Sequence, residues 1–155
     1  PRVELAPGYA APRLVNGGWQ LAAGHRPGDL DRDRALADLR RLAEAGLDTF
    51  DCADIYTGVE SLLGELAAEC RRAGGPEIRV HTKLVPDAAD LPSLTRRTVE
   101  AVIDRSLSRL GVERLDLVQL HWWELRVPGR VADELRRAGK IRHLGVTNFD
   151  AGRLA

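Results

Sequence analysis

The sequence alternates short, mostly apolar segments with longer segments of helical periodicity, and this alternation limits the possible folds. The short segments are typical of β-strands, and they span residues 14–19, 48–53, 79–84, 115–120 and 141–146. The longer segments are typical of helices, and they end near Gly46, Gly74, Gly111 and Gly139, with a further helix beginning at 151–155. We expect the first dozen residues to form an irregular or hairpin lead-in. Such β-α alternation predicts a parallel sheet with right-handed crossover connections.

Two architectures satisfy this pattern, a doubly wound open sheet and a (β/α)8 barrel. A complete barrel usually needs about 250 residues, whereas this chain has 155, so length alone favours the open sheet. The reactive side chains favour the barrel, because they stand where successive strands should end, and barrel enzymes gather their catalytic groups at those ends. We therefore predict one α/β domain over residues 1–155, forming a (β/α)8 barrel from its first strand to the start of its fifth helix.

Composition argues against several classes of partner. Lys and Arg together number 23, as do Asp and Glu, so the formal net charge is zero and gives no overall attraction to nucleic acid or an anionic membrane. No apolar run approaches the roughly 20 residues of a membrane span, and the N-terminus lacks the pattern of a secretory signal. Cys52 and Cys70 have no metal-ligand spacing. We expect a cytoplasmic protein without a bound metal.

Four candidate catalytic side chains stand near the ends of three consecutive predicted strands. Asp51 and Tyr56 belong to the end of the second strand, Lys83 lies in the third, and His121 closes the fourth. Each one alone has an ordinary structural explanation: a turn-forming aspartate, a core tyrosine, a solvated lysine or a core histidine with satisfied hydrogen bonds. Because they occur together at adjacent strand ends, we expect them to converge on one mouth of the barrel.

These residue types suit the reduction of a carbonyl group. Hydride addition leaves an alkoxide that needs a proton, and a tyrosine can donate it more readily when a nearby ammonium group favours the phenolate. A carboxylate can hold that ammonium in place, and an imidazole can orient and polarise the carbonyl oxygen. We therefore predict Tyr56 as acid/base, Lys83 as its tuner, Asp51 as the anchor of Lys83 and His121 as the carbonyl-orienting group. The hydride must come from a cofactor.

The residues around these positions resemble the aldo-keto reductase family over nearly the whole chain after residue 13. The shared motifs are DCADIY at 51–56 with Glu60 and LG at 63–64, TKL at 82–84, RLG through LDL to HW at 109–122, and GKIR through GVTNF at 139–149. They occur in the order and spacing of the family. The resemblance implies a (β/α)8 barrel that binds NADP(H) without a Rossmann fold, with NAD(H) not excluded, and the sequence contains no GxGxxG motif.

The resemblance also implies a set of cofactor-binding residues. Thr147 and Asn148 match the Ser-Asn pair that holds the nicotinamide carboxamide in the family, and Thr147 keeps the hydroxyl group of the serine that it replaces. Gly18, Trp19 and Asp51 match positions that line the nicotinamide ribose.

A substrate pocket for a small carbonyl compound or alcohol follows from the same resemblance. Trp19 and Trp122 match residues that contact substrate, together with Tyr56 and His121. Trp123 departs from the proline that is frequent at its position, and a pocket role and simple core filling are equally good explanations of it.

Other functions stay open at this point. One is a non-catalytic regulatory protein, resembling a channel β-subunit, that binds the nicotinamide cofactor to sense redox state. Another is a metal-dependent hydrolase using Asp51, Glu60 and His121, although no HxH pair supports it. A short-chain dehydrogenase is disfavoured, because its Tyr and Lys stand four apart on one helix, whereas Tyr56 and Lys83 belong to separate elements.

The five predicted strands are fewer than the eight of the barrel that the resemblance implies. A five-stranded parallel sheet leaves two open edges and an uncovered interior. We therefore expect either a further half-barrel in a longer protein, which we favour, or the association of two such chains. We also expect the 155-residue chain alone to have little reductase activity and to bind cofactor weakly.

Overall fold

A computed structural model describes residues 1–122 and 126–154, and it begins with an antiparallel hairpin. The hairpin strands are β1 (Arg2–Ala6) and β2 (Tyr9–Pro12). Tyr9 is buried, and its hydroxyl oxygen lies 2.9 Å from Nε2 of His81 on a later strand. Of the two predictions for the lead-in, an irregular segment or a hairpin, the hairpin is therefore the correct one. The hairpin packs against the parallel sheet.

Five parallel strands form one sheet in which the spatial order equals the chain order. They are β3 (Asn16–Gly17), β4 (Thr49–Asp51), β5 (Arg79–Leu84), β6 (Leu115–Leu120) and β7 (Ile141–Val146). A doubly wound sheet reverses its strand order at a switch point, whereas a barrel places each new strand beside the previous one. The prediction of a partial (β/α)8 barrel is therefore confirmed, and the predicted bounds of the last three strands agree with β5, β6 and β7.

Helices follow the strands and cover one face of the sheet. They are α1 (Arg32–Glu44), α2 (Val59–Arg72), α3 (Arg96–Leu110), α4 (Pro128–Arg137) and the single turn α5 (Ala151–Leu154). The Asp31 carboxylate accepts a hydrogen bond from the backbone N–H of Arg34 and so begins α1. Gly111 ends α3 with φ at 64°. None of the helices in the described part of the chain is long and apolar enough to cross a membrane.

The connections differ most from the sequence prediction. Two short 3-10 helices, Trp19–Leu21 and Ala88–Ser93, follow β3 and β5. Pieces of this length are too short to show an apolar period, so they could not be predicted from the sequence. Trp123 and Ala155 lie outside the described residues, so the alternatives for Trp123 stay untested.

Side-chain alternation along the strands separates a helix-facing core from the barrel interior. Leu84 of β5 and Val118 of β6 belong to the hydrophobic core that the helices cover. Lys83 and Gln119, which pair directly in the sheet register, lie on the opposite face because strand side chains alternate with a period of two. Lys83 and Gln119 thereby point into the barrel interior.

Helices α2 and α3 pack closely at Gly64. A Cβ built at this position would lie 2.7 Å from the carbonyl oxygens of Arg109 and Leu110. A Gly-to-Ala substitution at an open helix site stabilises a protein by up to about 1 kcal/mol. At Gly64 the obstructing atoms belong to the backbone and cannot move aside easily. The substitution should therefore destabilise the protein and not stabilise it.

We therefore expect Gly64→Ala to lower the free energy of unfolding by about 1–3 kcal/mol, the usual cost of overpacking. Urea denaturation followed by circular dichroism measures the change. Gly17→Ala is the control, because the nearest atom to its Cβ is 3.9 Å away. A Gly64→Ala variant as stable as the parent chain would contradict the close helix approach.

Candidate active site

The predicted site residues all lie at the C-terminal ends of the parallel strands or in the segments that follow them. In strand order they are Gly18 and Trp19 after β3, Asp51 at the end of β4 with Tyr56 in the next loop, Lys83 in β5, His121 and Trp122 after β6, and Thr147 and Asn148 after β7. Parallel strands carry their C-terminal ends to one edge of the sheet. The topology thus brings the whole predicted set to one mouth.

A partly buried ion pair between Lys83 and Asp51 forms the centre of the site. Nζ of Lys83 donates to Oδ2 of Asp51 at 2.5 Å and to the carbonyl oxygen of Cys52 at 2.8 Å. The amide of Gln119 donates to Oδ1 of the same Asp51 carboxylate at 3.1 Å. The Lys83 side chain is only 10% exposed, so its charge needs these partners. Asp51 and Lys83 are thus in direct contact, as the predicted role of Asp51 in holding Lys83 requires.

Tyr56 lies beside this ion pair. Nζ of Lys83 is 5.2 Å from the centroid of the Tyr56 ring, within the usual range of a cation–π contact. The ring is half-buried. Across residues 1–122 and 126–154, no hydrogen bond to the Tyr56 hydroxyl group is found. The hydroxyl group is therefore available to a bound molecule.

His121 and Asn148 face each other at the ends of β6 and β7. Nδ2 of Asn148 lies 3.2 Å from Nε2 of His121, and Asn148 adopts φ of 63°, in the left-handed region that asparagine tolerates better than most residues. Partial burial and, second, the charge of Lys83 lower the pKa of His121 from its ordinary value of 6.5. The imidazole is therefore neutral at pH 7, with one nitrogen able to donate and the other able to accept.

Two tryptophans border the site in defined orientations. Trp19 is 48% exposed, and its ring stacks on that of His25 with 4.5 Å between the centroids. Nε1 of Trp122 donates to the carbonyl oxygen of Pro86 at 2.7 Å, and the Trp122 ring meets the His121 ring edge-on. Trp19 thus offers an open apolar surface, whereas the connection after β5 fixes Trp122.

Gly18 has a structural reason to be glycine. Its backbone N–H donates to the carbonyl oxygen of Asp51 at 2.8 Å, and a Cβ at this position would lie 2.8 Å from that same oxygen. The segment after β3 therefore approaches the C-terminal end of β4 closely. This contact explains the residue type independently of any ligand.

The side chains after β7 offer groups that suit a nicotinamide. A carboxamide has one acceptor oxygen and two donor hydrogens, and the Thr147 hydroxyl and Asn148 amide offer complementary groups. The backbone N–H of Thr147 donates to the carbonyl oxygen of Leu120 at 3.1 Å. This bond places Thr147 beside the end of β6, next to His121.

Two features of the site escaped the sequence analysis. Gln119 was missed, although it falls two residues before His121 on the same strand face. The partners of Glu60 were missed as well: Glu60 is 1% exposed, accepts a hydrogen bond from Thr82 and pairs with Arg109. Because these partners enclose Glu60, the hydrolase hypothesis loses one of its three metal ligands.

The Lys83 charge gives a testable pH effect at His121. We expect Lys83→Met to raise the pKa of His121 only part of the way toward 6.5, because burial is the larger cause of its depression and stays. An NMR titration of the four histidines, assigned with His121→Asn, measures it.

Arg41→Met is the control for this titration, because it removes a cation that is 78% exposed on α1. It should leave the His121 titration unchanged. A His121 midpoint that does not move in Lys83→Met would contradict the arrangement.

Comparison with known proteins agrees with this geometry. Residues 13–155 match the family model described as Aldo/keto reductase family. The 6-dehydroglucose reductase of Novosphingobium aromaticivorans is 33% identical over 169 residues, covering 96% of this chain and 51% of that protein. The aldo-keto reductase YhdN of Bacillus subtilis is 28% identical, over 92% of this chain and 45% of its own length. The chain thus spans about half the length of these curated relatives.

Solved structures show the same relationship. The Bombyx mori aldo-keto reductase AKR2E4 in complex with NADP has a TM-score of 0.79 at 25% identity, over 99% of this chain and 52% of that one. The aldo-keto reductase AKR2E5 complexed with NADPH has a TM-score of 0.81 at 25% identity, over 99% of this chain and 49% of that one. The resemblance noted in the sequence is therefore confirmed. The chain belongs to the aldo/keto reductase family, and its fold is the N-terminal part of the (β/α)8 barrel of that family.

Proposed function

We propose that this chain carries the catalytic residues of an NADP(H)-dependent oxidoreductase that interconverts small aldehydes or ketones and alcohols, with Tyr56 as the proton donor. One observation carries the proposal: the Lys83 ammonium is fixed by Asp51 at 2.5 Å and lies 5.2 Å from the Tyr56 ring. Family membership and the NADP and NADPH complexes of similar proteins support it. NAD(H) is the alternative cofactor.

Each catalytic side chain has one task in the reduction. A nicotinamide cofactor held by the residues named below would supply the hydride. Tyr56 gives its hydroxyl proton to the carbonyl oxygen, and Lys83 stabilises the phenolate that remains. Asp51 holds Lys83 in place. Neutral His121 donates an N–H to the same substrate oxygen and stabilises the charge that develops there.

Cofactor binding is assigned to two groups of residues. Thr147 and Asn148 hold the nicotinamide carboxamide, since their side chains offer the complementary donors and acceptors. Gly18, Trp19 and Asp51 line the ribose. These residues flank the strand ends where Asp51 contacts Lys83.

Substrate binding is assigned to the side chains around that mouth. Tyr56 and His121 hold the carbonyl oxygen, and Trp19 and Trp122 form apolar walls. An apolar enclosure excludes water and so strengthens the electrostatic interactions that stabilise the transition state.

Tyr56→Phe tests the proton-donor role in the native protein. We expect the turnover number to fall by about 10²–10⁴-fold, the usual contribution of general acid catalysis, while the Kd for NADPH stays nearly unchanged. NADPH oxidation at 340 nm with an aromatic aldehyde measures turnover, and fluorescence titration measures Kd.

Tyr9→Phe is the matched control, because it removes the only other tyrosine hydroxyl group of the chain, which bonds to His81 in the hairpin contact. It should keep most of the parent activity. A Tyr56→Phe variant that retained most of its rate would remove Tyr56 from the mechanism. A parent protein that binds NADPH tightly but oxidises it with no carbonyl compound would instead fit the regulatory alternative.

We also propose that further strands complete the site, either from a longer polypeptide or from a second copy of this chain. Within the described residues, β3 and β7 each have a strand neighbour on one side only. The purified 155-residue chain is therefore expected to oxidise NADPH slowly and to bind it weakly. Absorbance at 340 nm with the same aldehyde measures this, and robust turnover by a monomeric 155-residue chain would contradict it. The intact mass of the native protein separates the two sources of strands.

A further inference from the structure

The loop that carries Tyr56 is bounded by two buried carboxylates that perform no step in the proposed mechanism. Asp54 lies two residues before the tyrosine with its side chain 4% exposed, and Glu60 lies four residues after it at 1%. A buried carboxylate is costly unless it is paired. Two such groups flanking one loop therefore need a physical reason.

Arg109, at the C-terminal end of α3, contacts both ends of this loop. Its Nη1 donates to the backbone carbonyl oxygen of Asp54 at 2.8 Å and to Oε2 of Glu60 at 3.2 Å. Arg105, one turn earlier on the same helix, forms an ion pair with Oδ2 of Asp54 at 3.7 Å. One guanidinium group thus joins the residues on either side of Tyr56.

The same two acidic residues tie the loop to the strand that carries Lys83. Oγ1 of Thr82 donates to Oε1 of Glu60 at 2.8 Å. The backbone N–H of Asp54 donates to the carbonyl oxygen of Lys83 at 3.2 Å, and the backbone N–H of Val85 donates to Oδ1 of Asp54 at 3.0 Å. These bonds involve Thr82, Lys83 itself and Val85. They therefore fix the position of the loop relative to Lys83, which carries the ammonium group.

We infer that Arg109 is a positioning residue: with Asp54 and Glu60 it forms a clamp that holds the Tyr56 loop against the Lys83 strand. The clamp itself follows from these contacts alone, and its catalytic consequence rests on the proposed function. The effect of an ammonium group on a phenol weakens as the distance between them grows. The clamp therefore controls how strongly Lys83 acts on Tyr56, although Arg109 has no hydrogen bond or ion pair with either side chain among the described residues.

The chain offers a direct measurement of the clamp, because Tyr9 and Tyr56 are its only tyrosines. Tyrosine labelled with ¹³C in the ring gives one set of signals for each, and Tyr56→Phe assigns them. In Arg109→Met we expect the Tyr56 signals to narrow and shift toward those of a solvent-exposed tyrosine, while the signals of buried Tyr9 stay in place.

Three further variants separate positioning from general destabilisation. Arg96→Met removes an arginine of the same helix that pairs with Glu100 at 2.7 Å, away from the loop, and should move neither tyrosine. Glu60→Gln keeps an acceptor for Thr82 but removes the charge that faces Arg109, so it should shift Tyr56 in the same direction as Arg109→Met. Arg109→Lys keeps the charge and should restore part of the parent signal.

Turnover of the native protein supplies the second readout. We expect Arg109→Met to lower kcat by about tenfold to a hundredfold, the loss that a displacement of about 1 Å can cause, with the KM for NADPH within about twofold. Arg109→Lys should recover part of the loss, and Arg96→Met should leave kcat unchanged.

The outcomes distinguish this inference from the proposed function. Unchanged Tyr56 signals in Arg109→Met overturn the clamp. If Tyr9 and Tyr56 shift together and helical circular dichroism is lost, the substitution disturbs the whole fold, and this result also overturns the clamp. Shifted Tyr56 signals with unchanged kcat overturn the catalytic role of Tyr56. Local Tyr56 shifts with reduced kcat, partly rescued by lysine, support both.

Discussion

The burial of one ammonium group explains the arrangement of the strand ends. Lys83 sits in the barrel interior, where an unpaired charge would cost several kcal/mol. Its hydrogen-bond partners are the Asp51 carboxylate, at the end of the neighbouring strand β4, and the carbonyl oxygen of Cys52, the next residue. Gln119, from the strand on the other side, fixes the second oxygen of Asp51. Groups from three adjacent parallel strands therefore form one connected network around this charge.

That requirement links the fold to the chemistry. Adjacent parallel strands in chain order are a property of the barrel, and their register places Lys83 directly beside Gln119. Lys83 and Gln119 are consequently held by the hydrogen bonds of the sheet, whereas the acid/base candidate, Tyr56, comes from a loop. Loops hold functional groups accurately only when other contacts fix them. The bonds from Asp54 and Glu60 to Arg109 and the Lys83 strand meet this need.

Several parts of this account could be predicted from the sequence because they depend on local pattern and topology. The apolar runs at β5, β6 and β7 gave their bounds, and the rule that parallel strands end on one edge brought Asp51, Lys83 and His121 together. The contacts of Gln119 and Glu60 could not be predicted in this way. Arg109 and Glu60 are 49 residues apart in sequence, and no period or motif encodes which side chains meet across the α2–α3 packing. The hydrogen bond between Tyr9 and His81 has the same long-range character.

The distance between the Tyr56 hydroxyl oxygen and Nζ of Lys83 in a crystal structure of the native protein with bound NADPH tests the central claim most directly. We expect these two atoms to lie within hydrogen-bond distance, about 3 Å, with Asp51 still bound to Lys83. A well-ordered Tyr56 whose hydroxyl oxygen points away from Lys83, beyond about 6 Å and with no charged group in its place, would contradict it, because Lys83 would then have little influence on proton transfer.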